Sequence, residues 1–373
     1  MRETIQLFRP VVGDDEIRAV TEVLRSGWLG LGPKTAEFER AFAGFIGAHR
    51  VVGTVSGTAA LDLAVRLLNL APGDEILVPT VTFVSTAHVI VYNNCRPVFV
   101  DVDPATLNIS VDDMKRKISS RTRAVMVVHY GGRPAELDDL RAAAGDLPII
   151  EDCAHATGAM YKGKHVGTFG TVGCFSFHAV KNLTMGEGGA LAVHEQAYAD
   201  RALRLRWLGI DKGTWERTPD NKSYWWEYAV DEIGLKCHLN DLLAAIGLVQ
   251  LKKLPALNAR RKLIVDRYRQ AFADLGWLEM PADDDPDHRS SWHICCVRLT
   301  GADRDSFSEY LKANSILTGV HYKPIHLYHC YGYQPPLAVA EREFRRMISL
   351  PNHPALSDED VAYIIDTIRR YPA

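Results

Sequence analysis

The strongest candidate for a reactive residue is a lysine between an apolar strand and a glycine-rich turn. Lys181 follows the apolar run 173–177 and precedes Gly186, Gly188 and Gly189. Burial lowers the pKa of a lysine and makes it a usable amine nucleophile, and glycines leave room for a ring beside it. Lysines at such places are otherwise solvated, so this segment alone does not decide between the two interpretations.

A carboxylate and a helix start supply two further groups. Asp152 ends the apolar run 147–152, which places it at the carboxyl edge of a sheet, although many aspartates at strand ends only cap a helix. Residues 54–61 form a strand, a Ser-Gly-Thr turn and a helix start. The free N–H groups of a helix start suit a phosphate, but a plain N-cap explains this turn equally well.

Taken together, the three segments match the needs of one cofactor. Pyridoxal phosphate requires an amine that forms a Schiff base, a carboxylate that keeps the pyridine nitrogen protonated, and a cup for the phosphate. Lys181, Asp152 and the turn 56–58 offer these groups within one chain. We therefore predict a pyridoxal 5'-phosphate site.

A mostly parallel sheet must position these residues. Apolar, β-rich runs at 51–55, 75–79, 97–101, 124–128 and 147–152 alternate with helical stretches. Strands that are apolar on both faces and separated by helices indicate an α/β fold with a parallel sheet covered on both sides. Several runs end in polar residues or glycine, and an open α/β sheet binds its ligands at that edge.

The pattern changes near residue 250. Residues 240–254 predict one apolar helix, and 256–275 predict a separate, charged amphipathic helix. Shorter strand-like and helical segments follow a loop at 280–291. We predict a large α/β domain over residues 1–254 and a smaller α+β domain over residues 255–373.

Composition and charge exclude several classes of protein. Of the 373 residues, 47% are apolar and 24% are charged, which is the balance of an ordinary globular protein. The net charge is −3, so no basic surplus points to nucleic acid or to acidic membranes. No apolar run approaches the roughly 18–20 residues that span a bilayer, and the N-terminus lacks the core of a signal peptide.

Cysteine and histidine usage favours a cytoplasmic enzyme without a metal. The seven cysteines are scattered and have no zinc or redox spacing, which indicates reduced thiols packed as small apolar groups. His321, His326 and His329 lie among Tyr, Pro and Lys rather than beside a carboxylate in a ligand pattern. We expect no metal site and a cytoplasmic location.

With these motifs the chain resembles the DegT/StrS-type sugar aminotransferases, which are pyridoxal-phosphate enzymes of fold type I. The resemblance runs from about Ser26 to the end and is most specific around Lys181. Its segments are 26–33, 56–58, 79–83, 151–155, 176–189, 241–251 and 318–322. It implies the fold type I architecture and a homodimer with shared active sites.

The resemblance also implies roles for individual residues. Lys181 would hold the cofactor and then move the proton between substrate and cofactor carbons, and Asp152 would pair with the pyridine nitrogen. His155 stands where the family has Gln or His near the phenolic oxygen, and Phe83 where an aromatic ring stacks on the pyridine. The residues that would hold the phosphate are Gly57, Thr58 and Ser176.

The chain departs from the family pattern at one contact. Many relatives have an asparagine at a position matching Lys236 or His238, and it reaches the phosphate of the neighbouring subunit. Lys236 offers a charged donor instead, or both residues are solvated loop side chains. Lys323, His326 and the aromatic loop containing Trp215 lie where relatives meet a sugar nucleotide, although these aromatics equally suit packing against a partner subunit.

The leading functional hypothesis is transamination of a nucleotide-linked keto-deoxyhexose in amino-sugar biosynthesis, with glutamate as the implied amino donor and ping-pong kinetics. Its rival within the family is a keto-cyclitol aminotransferase. Pyridoxamine-dependent sugar dehydratases carry His where this chain has Lys181, which counts against a lyase. A non-catalytic relative would have lost Lys181, Asp152 or the phosphate turn, and a metal enzyme is the weakest interpretation.

Overall fold

A sheet of seven strands forms the centre of the larger part of the molecule. The computed structural model describes residues 3–211 and 228–372. The strands of this part are β1 (Arg50–Thr54), β2 (Glu75–Pro79), β3 (Arg96–Val100), β4 (Thr122–Val128), β5 (Ile149–Asp152), β6 (Met160–Tyr161), β7 (Lys164–His165), β8 (Val172–Ser176) and β9 (Gly189–Val193). The order across the large sheet is β1-β9-β8-β5-β4-β2-β3. Only β9 runs against its neighbours, so the predicted mostly parallel sheet is confirmed.

Helices cover both faces of this sheet. They are α1 (Asp14–Ser26), α2 (Pro33–Ile46), α3 (Gly57–Leu67), α4 (Ser85–Tyr92), α5 (Val111–Lys117), α6 (Leu137–Ala144) and α7 (Gln196–Leu205). On β4, Met126 packs into a cluster with α3, α4 and α7, whereas Val125 and Val127 pack into a cluster with α2, α5 and α6. This alternation follows from the pleat of a strand buried on both faces, and it explains the continuous apolar runs in the sequence.

The C-terminal part has its own antiparallel sheet and core. Its elements are α8 (Asp241–Ala271), β10 (Leu278–Glu279), β11 (His288–Arg289), β12 (Cys295–Leu299), α9 (Arg304–Ala313), α10 (Ala338–Arg346), β13 (Met347–Leu350) and α11 (Asp358–Arg369). The order β10-β12-β13 makes one antiparallel sheet, and β11-β6-β7 makes a small one that joins the two parts. Short 3-10 turns lie at Tyr130–Gly132, Ile325–Leu327 and His329–Tyr331.

The predicted break between two helices near Pro255 is wrong, because α8 is one helix that contains this proline. A proline inside a helix costs about 3 kcal/mol. Leu251 and Leu254 on one side of it, and Ile264 and Val265 on the other, are buried in apolar clusters. Burying a leucine or isoleucine contributes about 1.5–3 kcal/mol, so packing on both sides outweighs the local cost.

Helix α8 also runs through the predicted domain boundary. Leu254 belongs to a cluster of the large sheet, and Ile264 belongs to the cluster of the C-terminal sheet. The change of core near residue 255 agrees with the predicted division, which stays a prediction. By length and composition alone α8 is apolar enough to cross a membrane, but core helices of soluble proteins have the same character.

Candidate active site

A cavity of about 1060 Å³ opens at the carboxyl edge of the parallel strands. Segments that follow β1, β2, β5 and β8 line it, and His293, His321 and Tyr322 of the C-terminal part close it from the other side. Because parallel strands end at one sheet edge, residues far apart in the chain meet here. The predicted site residues that line the cavity are Gly57, Thr58, Phe83, Asp152, His155, Ser176 and Lys181.

Lys181 and Asp152 enter this cavity from the ends of two adjacent strands, β8 and β5. Desolvation lowers the pKa of Lys181 to about 8, although the Asp152 carboxylate opposes this shift by favouring the ammonium. Burial raises the pKa of Asp152, and hydrogen bonds from Ala154 N (3.0 Å) and Thr86 Oγ1 (2.9 Å) oppose that rise. Lys181 is therefore a far better nucleophile near neutral pH than a solvated lysine.

The neighbouring acid Glu151 has a structural role instead. Successive side chains of a strand point to opposite faces, so Glu151 turns away from the cavity that Asp152 enters. Its carboxylate accepts hydrogen bonds from Gly167 N, Phe169 N and Gly170 N and from His129 Nε2. Burial alone would raise the pKa of Glu151, but His129 and these N–H groups hold it below its usual value.

A close contact between α3 and β8 forms a cradle at the end of the cavity. A Cβ atom added to Gly57 would lie 2.7 Å from Ser176 Cβ, so only glycine fits there without a shift. Helix α3 begins at Gly57, and Ser56 Oγ accepts a hydrogen bond from Ala59 N (3.1 Å). The remaining N–H groups of the first turn have no intrahelical acceptor, which suits an anion such as phosphate.

A cluster of rings also lines this cavity. Tyr322 OH lies 2.9 Å from His155 Nε2, and the two rings are stacked at 5.8 Å. The His155 and His293 ring centroids are 4.8 Å apart. His155 Nδ1 is buried and has no hydrogen-bond partner among the residues that the structure describes. A buried polar atom without a partner is costly, so this nitrogen marks a place where a ligand atom fits.

These features fit pyridoxal phosphate. Lys181 offers an amine of lowered pKa, Asp152 offers a buried carboxylate, and Gly57 with Ser176 forms a cradle too narrow for a Cβ atom. The Nδ1 atom of His155, which has no partner in the described part of the chain, could bond the phenolic oxygen of the cofactor. Each group that the cofactor needs is therefore present in one cavity.

Two predicted residues lie at the mouth of the cavity. The Phe83 side chain is 55% exposed, and its ring centroid lies 6.1 Å from that of Tyr322. Lys323 lines an adjoining groove of about 650 Å³, which also includes Phe83, Tyr322 and Tyr328. Its Nζ lies 4.9 Å from the centroid of the Tyr328 ring. An apolar groove with one cation thus continues outward from the cavity.

Two of the predicted residues that the structure describes, His326 and Lys236, do not line this cavity. His326 is buried with Nδ1 2.6 Å from Thr80 Oγ1 and Nε2 3.3 Å from Glu341 Oε1, and its substrate contact stays a prediction. Lys236 is exposed outside the cavity of its own chain, with Nζ 5.4 Å from the centroid of the Trp207 ring. Trp215 lies outside the described residues.

The sequence reasoning missed several residues that the fold adds. Thr86 bonds Asp152 from the first turn of α4, and Phe8 reaches the cavity and stacks on His293 at 5.6 Å. Nothing in their local sequence marks these two residues. Tyr322 belongs to the segment 318–322 that resembles the family, but the sequence does not indicate its contact with His155.

Comparisons with known proteins agree with this geometry. The model of the DegT/DnrJ/EryC1/StrS aminotransferase family matches residues 10–369. The spore coat polysaccharide biosynthesis protein SpsC of Bacillus subtilis is 39% identical over 96% of this chain and 95% of its own length. The dTDP-4-dehydro-2,3,6-trideoxy-D-glucose 4-aminotransferase of Saccharopolyspora spinosa is 37% identical over 98% of this chain and 96% of its own.

Solved structures extend the agreement to the fold and the cofactor. The PLP form of the Streptococcus pneumoniae protein Spr1654 is 33% identical, covers 98% of this chain and 97% of that chain, and superposes with a TM-score of 0.90. A PMP form of the same protein also matches. The chain therefore belongs to the DegT/DnrJ/EryC1/StrS aminotransferase family and is a pyridoxal-phosphate-dependent sugar aminotransferase.

Proposed function

We propose that the protein transfers an amino group from glutamate to a nucleotide-linked keto-deoxyhexose in amino-sugar biosynthesis. The observation that carries this proposal is the convergence of Lys181, Asp152 and the Gly57–Ser176 cradle in one cavity. The Saccharopolyspora spinosa relative, whose name specifies a dTDP-linked keto sugar, supports this acceptor class.

The groove outside the cavity supports an extended acceptor substrate. It continues from Phe83 and Tyr322 to Lys323 and Tyr328. A sugar at Lys181 would leave its diphosphate within reach of the Lys323 ammonium, and exposed aromatic surface suits a base or sugar face. A free cyclitol would leave this groove empty, so the groove favours the nucleotide-linked sugar.

Lys181 moves the proton in both half-reactions. Its Nζ is the base that takes the proton from the donor carbon, and it returns a proton when the keto sugar accepts the amine. The pKa of about 8 gives Lys181 a usable free-amine fraction near neutral pH. When bound, pyridoxal phosphate supplies an electron sink that stabilises the negative charge left on the substrate carbon.

Asp152 would keep the pyridine nitrogen of the bound cofactor protonated. Thr86 Oγ1 and Ala154 N each donate to one of its oxygens, which fixes the plane of the carboxylate. The third partner of this buried carboxylate would be the N–H group of the pyridine ring. Such a charge-assisted hydrogen bond is stronger than a hydrogen bond between neutral groups. Gly57, Thr58 and Ser176 would hold the phosphate, and Phe83 would cover the ring.

Lys236 completes the site in our proposal from a second copy of the chain. Its side chain is exposed and does not line the cavity of its own chain, as expected of a residue that serves a partner's phosphate. We therefore propose a homodimer with shared sites. Six of the seven free cysteines are buried and one, Cys330, is exposed, which supports our proposal of a reducing, cytoplasmic location.

The visible absorption spectrum of the reconstituted protein tests the donor. If glutamate removes the visible absorption band of the bound cofactor, glutamate is the donor in the first half-reaction. Lys181→Ala should abolish both this band and the turnover. The exposed Lys252→Ala is the matched control and should behave as wild type. A band that glutamate leaves unchanged would overturn glutamate as donor.

The acceptor substrate is tested on enzyme whose cofactor has already received the amino group from the donor. Nucleotide-linked keto-deoxyhexoses and a keto-inositol are added separately, and products are identified by mass. An aminated nucleotide sugar is the expected product. Amination of the keto-inositol alone would identify a cyclitol aminotransferase, and a dehydrated sugar without amine transfer would identify a dehydratase.

A further inference from the structure

The hydrogen bond between Tyr322 and His155 determines which ring nitrogen of His155 carries the proton. Tyr322 OH and His155 Nε2 are 2.9 Å apart, and the rings are stacked with an interplanar angle of 19°. Within residues 3–211 and 228–372, the hydroxyl has no second hydrogen-bond partner. His155 Nδ1 is buried and bonds to nothing there.

Two proton placements are possible for this pair. If Nε2–H donated to Tyr322, the phenol hydrogen would lack an acceptor and Nδ1 would be a buried lone pair without a donor. If Tyr322 donates to Nε2, only the Nδ1–H group is left without a partner. Unpaired buried groups are costly, so the second placement is favoured.

The surroundings keep both groups neutral. In the described part of the chain, the ionisable groups near His155 and Tyr322 include Lys181, Asp152, His293, His321 and Tyr130. Burial, followed by the positive charge of Lys181, holds the pKa of His155 well below its usual value. Burial raises the pKa of Tyr322, so its phenol stays protonated and remains a donor.

We propose that Tyr322 is a positioning residue that fixes His155 as an Nδ1–H donor toward the phenolic oxygen of the cofactor. The proposal rests on the proposed function, because His155 meets this oxygen when the cofactor occupies the Lys181 cavity. A neutral imidazole presents either an N–H group or a lone pair, and only the N–H group stabilises an anionic oxygen. Tyr322 would select the His155 tautomer that is protonated at Nδ1 without itself bonding the phenolic oxygen. Hydrogen bonds to the second ring nitrogen fix histidine tautomers at metal sites in the same way.

Tyr322→Phe in the reconstituted enzyme tests this role. The visible band of the bound cofactor is titrated against pH, because the deprotonated form carries the larger negative charge on the phenolic oxygen. Without the Tyr322 hydroxyl, His155 presents a lone pair to that oxygen in part of the molecules. The midpoint should therefore rise, by about one pH unit.

Two further variants separate this role from a general disturbance. His155→Gln offers an amide N–H that needs no tautomer, so Tyr322→Phe should no longer shift the midpoint in that background. Tyr331→Phe removes another phenol, whose buried hydroxyl has no partner among the described residues, and should leave the midpoint unchanged.

The outcomes separate this inference from the proposed function. An unchanged midpoint in Tyr322→Phe, or an equal shift in the His155→Gln background, would overturn the inference while the cofactor site stands. A wild-type protein that shows no visible band after reconstitution would overturn the proposed function, and the inference with it.

Discussion

At the scale of single residues, the site depends on how Lys181 and Asp152 share a poorly solvated space. Desolvation destabilises both charged forms, so the pKa of the lysine falls and that of the acid rises. Each charge also stabilises the other, which limits both shifts. As a result, the Lys181 amine reacts near neutral pH, and a positively charged partner stabilises the ionised form of Asp152.

The lowered pKa of Lys181 predicts the pH dependence of cofactor capture by the unloaded protein. Below pH 8 the free-amine fraction rises about tenfold per pH unit, and it levels off above the pKa of about 8. Stopped-flow absorbance after mixing with pyridoxal phosphate between pH 6 and 10 measures this rate. A rate that keeps rising toward about pH 10 would show a lysine of ordinary pKa.

Asp152→Asn should leave the cofactor bound and reduce turnover by roughly two orders of magnitude or more. The amide retains an acceptor for Ala154 N, so the loop after β5 keeps its shape. It cannot hold the ring nitrogen protonated, so the electron sink weakens. Steady-state kinetics with parallel absorbance titration separates the two effects.

The exposed Asp146→Asn is the control for this change and should have wild-type kinetics. The same Asp152→Asn protein serves a second measurement. Removing the carboxylate removes the charge that favours the Lys181 ammonium, so the midpoint of cofactor capture should move to lower pH. Wild-type turnover in Asp152→Asn would show that another acid has this role.

At the scale of secondary structure, the phosphate cradle depends on how closely the start of α3 approaches the end of β8. Gly57→Ala is tolerated by helical backbone, but its Cβ would lie 2.7 Å from Ser176 Cβ. The two elements must separate, so the affinity for pyridoxal phosphate should fall about tenfold or more, which corresponds to about 1.4 kcal/mol. Fluorescence titration of the unloaded protein gives the dissociation constant.

Gly44→Ala on α2 is the matched control, because nothing lies within 4 Å of the added methyl group. This change should leave cofactor affinity unchanged and stabilise the helix by about 0.5–1 kcal/mol in urea unfolding. Equal affinity in Gly57→Ala and wild type would mean that the cradle opens without cost.

The same scale shows what the sequence predicts and what it does not. Strands such as β4 are predicted because burial on both faces leaves an uninterrupted apolar run, and Lys181 is predicted because its segment combines a strand, an amine and glycines. The continuity of α8 through Pro255 is not predictable locally, because the cost of a proline is visible in the sequence and the packing from distant elements is not. His326 has the composition of a binding loop, and only its contacts with Thr80 and Glu341 assign it to the interior.

At the scale of the whole molecule, two parts of the chain build one cavity. The large sheet supplies Lys181 and Asp152, and the C-terminal part supplies His293 and Tyr322. Lys236 follows the segment that lies outside the described residues and remains exposed. Val230 and Ile233 in the same stretch are 56% and 92% exposed, so this region presents apolar surface that a second copy can cover.

A mixture of two inactive variants tests whether a site is shared between subunits. Lys181→Ala removes the amine, and Lys236→Ala removes the proposed contact to the phosphate in the neighbouring site. If each site takes Lys181 from one chain and Lys236 from the other, a mixed dimer has one intact site and one doubly altered site. Random exchange makes about half of the dimers mixed, so about a quarter of wild-type activity should return.

The comparison is made after the subunits have been separated in mild denaturant and refolded together. Each variant is treated alone in the same way, which sets the background. Lys252→Ala mixed with Lys181→Ala checks that sites survive the treatment: Lys252 is an exposed lysine on α8, so this mixture should keep about half of wild-type activity. If the Lys181→Ala and Lys236→Ala mixture has only the sum of its separate activities, Lys236 acts within its own chain or not at all.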